Sequence, residues 1–151
     1  MVTTVFRRAY QVAAWLVFAD VVLQFYFAGV GVFTVPGNDF SFHVRNASVL
    51  MVLLLATLVL SLLARAGWRR SLMHLLLPVL LVLQVVFFIL SEVFGGSVQK
   101  SSGLPTYVAS LHVVNGLLIF GLAGFLALRA HALPTREAAV AATRPAPEPS
   151  A

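Results

Sequence analysis

Residues 43–64 read HVRNASVLMVLLLATLVLSLLA, with a single formal charge, Arg45, close to the start. At ~1.5 Å per residue a helix of that length crosses the ~30 Å hydrocarbon core of a bilayer. Three further stretches have the same character, at residues 9–35, 72–94 and 107–128. Strands of a membrane barrel alternate in polarity and are about half as long, so these segments read as helices. A helix also satisfies its own backbone polar groups, which lipid cannot do.

Composition agrees. With 60% hydrophobic residues, 10% charged residues and a mean hydropathy of +0.97, the chain of 151 residues is excluded from the class of soluble domains. Arg7 and Arg8 precede the first stretch as they would in a signal peptide. That stretch is too long for one, carries Asp20 and Gln24, and is expected to stay in the mature fold. The absence of cysteine removes disulfides, thiolate ligands and covalent haem attachment, leaving histidine and oxygen for any metal chemistry.

The net charge of +5 is explained by where the basic residues fall. Arg7 and Arg8 precede the first span, Arg65, Arg69 and Arg70 separate the second from the third, and Arg129, Arg136 and Arg144 follow the fourth. Arg45 and Lys100 stand on the other side. Short loops rich in Lys and Arg stay cytoplasmic, which predicts both termini inside and the connections 34–42 and 95–105 outside. The basicity thus sets topology and does not point to nucleic acid.

The expected architecture is all-α: an integral membrane four-helix up-down bundle over residues 1–133, with a disordered cytoplasmic tail over 134–151. The Pro36-Gly37-Asn38-Asp39 cluster reads as a turn, with Ser41 or Asn38 capping the second helix, and Pro105 stands near the start of the fourth. Pro78 is expected to kink the third helix near its start.

Helical spacing gathers the embedded polar residues into one stripe per helix. On the second helix the stripe is His43, Asn46, Leu50, Leu53, Thr57 and Ser61; on the first, Asp20, Gln24, Phe27 and Gly31. On the third it is Gln84, Phe88 and Ser91, and on the fourth Ala109, His112, Gly116 and Ala123, flanked by Asn115. His112 and Gln24 are expected at similar depth in the outer half, with His43 about one turn shallower.

Two histidines on alternate helices suggest a haem held between imidazoles, because ionisable groups inside a membrane are functional by default. His43 and His112 are the expected iron ligands. Gln24 and Asn115 lie beside them, Arg45 would receive a propionate, and Gly116 would let the macrocycle approach the backbone. The competing reading makes the same residues interhelical hydrogen-bonding contacts at ~0.6 kcal/mol apiece, in a non-enzymatic protein that binds a partner or lipid. His74 and His131 fall at the cytoplasmic boundary, where interfacial solvation explains them better than a second ligand pair. Asp20 near mid-membrane reads as a buried hydrogen-bonded acid, or else as part of a transport or proton path. The sequon Asn46-Ala47-Ser48 lies within a helix, and no phosphate loop, nucleophile elbow or zincin pair is present.

The His43-Val44-Arg45-Asn46 and His112-Val113-Val114-Asn115-Gly116 segments, at the outer ends of the second and fourth helices, resemble one four-helix half of haem A synthase. The chain also resembles short bacterial four-helix membrane proteins without assigned activity. Haem A synthase carries two such units and an acidic residue three positions before its second-helix histidine; here one unit is present and Phe40 occupies that place. The resemblance therefore implies a haem b site, or its relic. Separate expectations are a bacterial inner-membrane location, electron transfer, and either a homodimer or a membrane redox partner.

Overall fold

A computed structural model describes residues 2–34, 37, 39–95 and 103–132. It contains four helices: α1 (Val2–Phe33), α2 (Ser41–Leu63), α3 (Trp68–Val93) and α4 (Leu104–His131). The expected tail at 134–151, Lys100 and the capping candidate Asn38 lie outside the described residues. Each helix is long and apolar enough to cross a membrane, and only 22 to 28% of each apolar window is buried within the bundle. Most of the apolar surface therefore faces outward, which suits a lipid surround and not water.

The helices run up and down in chain order. Contacts are concentrated in the pairs α1·α2, α2·α3, α3·α4 and α1·α4, so the bundle is a square with α1 opposite α3 and α2 opposite α4. Three helices begin several residues before the expected spans, and α4 also runs past its expected end. Helical hydrogen bonding continues beyond the apolar core wherever sequence permits, so hydropathy marks the membrane-embedded part alone.

At the start of α2 the capping expectation is corrected. Phe40 is the N-cap residue and makes no side-chain cap, while Asp39 Oδ1 accepts the backbone N–H of Ser41 at 2.9 Å. That bond, with Arg45 nearby, holds the Asp39 carboxyl below the usual carboxylate range. The Phe40 ring lies over Gly31, where an added Cβ would stand 2.5 Å from the ring and 2.9 Å from the Asp39 carbonyl, so the return from α1 to α2 depends on glycine there. Pro105 sits in the first turn of α4 as expected, and α3 runs unbroken through Pro78.

The α2–α3 connection is tight. Arg65 has φ 53°, Ala66 N–H donates to the Ser61 carbonyl at 3.0 Å, and Gly67 follows at φ 98°. This is a Schellman termination with arginine in the left-handed position that glycine usually fills.

The centre of the bundle is an apolar layer of Val17, Val21, Leu50, Leu54, Leu77, Leu81, Ile119, Ala123 and Leu126. A second, small-residue cluster around Tyr10, Ala14, Ala64 and Ala127 closes the end that holds the chain's N-terminal helix start. Here His74 departs from expectation. It is 2% exposed, not solvated at an interface, and bonds through Nε2 to the Tyr10 hydroxyl at 2.8 Å across the α1/α3 diagonal. His131 is exposed at the end of α4.

Candidate functional site

Residue spacing decides what meets at the other end of the bundle. On α2, His43 and Asn46 are one turn apart on the inward stripe that continues through Leu50, Thr57 and Ser61, all three buried. On α1, Asp20 and Gln24 are likewise one turn apart. The two pairs interlock: Asn46 Nδ2 donates to Gln24 Oε1 at 2.8 Å and reaches Asp20 Oδ2 at 3.5 Å. Gln24 Nε2 donates to the His43 carbonyl at 3.0 Å, and His43 Nδ1 bonds the Gln24 carbonyl at 3.0 Å. His43 thus lies level with Gln24 and not a turn above it.

The last bond fixes a tautomer. A carbonyl oxygen only accepts, so His43 Nδ1 carries the hydrogen and the neutral ring presents its lone pair at Nε2. The ring turns toward His112 on the diagonally opposite α4, with centroids 6.0 Å apart and planes at 56°. Phe88 of α3 packs on His112 at 4.7 Å, and Phe40 meets His43 edge-on at 6.3 Å. The Gln84 main-chain carbonyl lies beside the His112 ring, but His112 Nδ1 is buried without a partner in hydrogen-bonding geometry. Gln84 Oε1 is buried without one as well.

These groups border a cavity of about 740 Å³, within the roughly 300–1,000 Å³ usual for small-molecule sites. All four helices contribute. Val44 and Ser48 of α2 and Val82 and Val85 of α3 line it while being exposed, so the cavity opens sideways between α2 and α3; Phe25 of α1 and Val113 of α4 are exposed lining residues as well. In a membrane that opening faces acyl chains.

Of the residues singled out from sequence, His43, His112, Gln24 and Gly116 line this cavity together. Gly116 is approached by Gln84 Nε2 and Phe25 Cζ, which an added Cβ would meet at 3.4 and 3.5 Å. The notch it leaves is filled by these two side chains, so methyl substitution there costs little. Asn115 turns elsewhere: it is buried on the α3 side of α4 and donates to the Leu80 carbonyl at 2.8 Å. Arg45 is exposed and does not border the cavity. Sequence reasoning did not single out Phe25 and Met51 as lining residues, because an apolar side chain at helical spacing carries no signal that separates cavity wall from packed core.

Asp20 is buried and meets Asn46, not Gln84. Between it and the Tyr10–His74 pair lies the apolar layer, crossed by no chain of polar side chains among the described residues; Thr57 and Ser61 turn back to bond the Leu53 and Leu58 carbonyls of their own helix. A proton or ion entering at Asp20 would meet hydrocarbon. Among the described residues no group of three or more His, Cys, Asp or Glu is placed to hold a metal ion.

The chain is similar over residues 24–90 to a family of unknown function, DUF6220. The match covers less than half of the 151 residues, and includes Gln24, His43, Asn46 and Gln84 but not His112. No curated protein and no solved structure matches the chain.

The hydrogen-bond pattern predicts unequal effects for two neighbouring substitutions. Asp20→Asn keeps size and bonding capacity, and is expected to change stability by under ~0.5 kcal/mol, as for most tolerated polar exchanges. Asn46→Leu removes the donor to both Gln24 and Asp20, and is expected to cost ~1–2 kcal/mol. Reversible unfolding in mixed micelles measures both; equal losses would show that Asn46 is not the shared donor.

Proposed function

We propose that the chain is a non-enzymatic integral membrane protein whose outer-half cavity binds a ligand drawn from the bilayer, with the Asp20, Gln24 and Asn46 side chains serving to lock α1 to α2. The observation that carries this reading is the sideways opening between α2 and α3, onto which the apolar walls of a 740 Å³ cavity continue. Lipid-phase molecules reach such an opening without crossing water. The polar contacts support the packing part of the reading: each adjacent pair of helices shares at least one hydrogen bond, as in Ser61 to Ser71, Ser91 to Pro105 and Gln11 to Ala130.

A second reading is favoured by one specific observation, the opposition of His43 and His112 across the α2/α4 diagonal. The donor set fits a bis-imidazole haem b, since His43 donates Nδ1–H to a main-chain carbonyl and so keeps Nε2 for a ligand bond. In this reading His43 and His112 hold the iron, Phe88 buttresses the His112 ring, and the resemblance to half of haem A synthase has its explanation. Bound haem would supply one-electron chemistry, and a membrane redox partner would then be required.

Both readings share an orientation. Arg65, Arg69, Arg70 and Arg129 belong to the end of the bundle where α1 begins, while Arg45 stands at the end of the cavity. By the bias of basic residues toward the cytoplasm, we place both termini inside and the cavity in the outer half of a bacterial inner membrane.

Three outcomes are expected. Because the chain has no cysteine, a single Cys placed at Val44 carries a fluorophore uniquely; a brominated hydrocarbon should quench it saturably, whereas a Cys at the lipid-facing Leu75 should be quenched in linear proportion. Linear quenching at both would remove the ligand-binding reading. The purified protein, expressed with ample haem, is expected to be colourless; a sharp Soret band abolished by His43→Ala or His112→Ala, and kept by His74→Ala, would establish the haem reading in its place. A Cys at Gly67 should resist impermeant reagents applied outside, and labelling there would reverse the orientation.

A further inference from the structure

We infer that the ligand of this cavity is an uncharged lipid carrying a hydroxyl head group, which donates to His43 Nε2 or Gln84 Oε1, with its apolar body lying between α2 and α3. The inference rests on the ligand-binding reading and adds the chemical class.

Charge comes first. Among the described lining residues there is no Asp, Glu, Lys or Arg, and Arg45 does not border the cavity. A phosphate or carboxylate head would be drawn into an apolar medium with no counter-charge, which is costly enough to keep it at the interface. An uncharged head avoids that cost.

Hydrogen-bonding valence narrows the class further. Gln24 is engaged at both ends of its amide, with the His43 carbonyl and with Asn46. His43 has spent its N–H on the Gln24 carbonyl, so its Nε2 can only accept. Gln84 Oε1 is buried, unpartnered, and can only accept. The His112 ring, with Nδ1 unpartnered, supplies the remaining polar edge. A ketone or ester head brings acceptors alone and would leave the two acceptors of the cavity unmet. A hydroxyl brings a donor for one of them and lone pairs for an N–H, and a head with two hydroxyls satisfies both.

The wall fits the body of such a molecule. From this polar end the lining runs through Met51, Val82 and Val85 to the opening, apolar throughout apart from Ser48 at the rim.

The test uses the full chain in phosphatidylcholine vesicles with three photoactivatable probes that share one long alkyl chain bearing a diazirine: the 1-alkanol, the alkane and the carboxylate. Cross-links are mapped by mass spectrometry. The alkanol is expected to label residues 44–51 and 82–88 saturably, and to be displaced by unlabelled alkanol. Gln84→Leu together with His43→Leu should weaken that labelling about threefold, the loss expected for the one hydrogen bond a single hydroxyl can donate in a membrane. Val85→Trp, which leaves the polar groups in place, should block it sterically and guards against misfolding of the double variant. Saturable labelling by alkanol and alkane alike, unaffected by the double variant, would overturn the hydroxyl assignment and leave the ligand-binding reading standing. Tighter labelling by the carboxylate would also overturn it. Failure of all three probes to saturate would remove both.

Discussion

Within a hydrocarbon medium a buried polar side chain has no water to return to, and in this bundle that constraint decides how the helices register. Asn46 reaches from α2 to Gln24 and Asp20 on α1, and Gln24 and His43 exchange bonds with each other's main chains. A helix sliding by one residue relative to its neighbour would break four contacts at once. Apolar packing alone would not set that register, because lipid tails attract leucine as well as leucine does. Each bond is worth little, and their shared geometry is worth more than their sum suggests.

The two ends of the bundle solve the constraint differently. At the end where α1 begins, small residues let the helices close up, and the Tyr10 hydroxyl meets His74 across the α1/α3 diagonal in a site sealed by alanines. At the opposite end a cavity lies among the helices, and His112 Nδ1 and Gln84 Oε1 beside it are unmatched within the chain. The Tyr10–His74 pair is therefore closed, while the His43–His112 pair borders open volume. On the proposed reading this asymmetry, more than the presence of histidines, makes the cavity end the place where a ligand enters. The apolar layer between the ends also explains why a transport path through Asp20 finds no support in the fold.

Most of the fold was legible in the sequence, because four apolar stretches of membrane length leave few alternatives and the stripes on α2 and α4 point inward as their spacing demands. Helix ends were less legible. Hydropathy reports the surround and not the hydrogen-bond ladder, so α1 begins seven residues before its apolar stretch. His74 was misread because its neighbours Arg69 and Arg70 suggested an interface, and nothing local announces that Tyr10, 64 residues earlier, will cover it. At the site, His43, His112, Gln24 and Gly116 could be grouped from depth and phase. Asn115 could not be placed, since it is adjacent in sequence to Gly116 but a hundred degrees away around the helix, on the seam with α3. Gln84 was noted for its stripe, but its unmatched oxygen is a property of three dimensions.

The central claim is that the outer cavity is a binding site for a molecule taken from the bilayer. Native mass spectrometry of the protein released gently from its own membrane tests it most directly. The account predicts a discrete adduct of an uncharged lipid on the native chain, absent when Val85→Trp narrows the opening between α2 and α3. A bare chain in both proteins, or an adduct that Val85→Trp leaves unchanged, would contradict it.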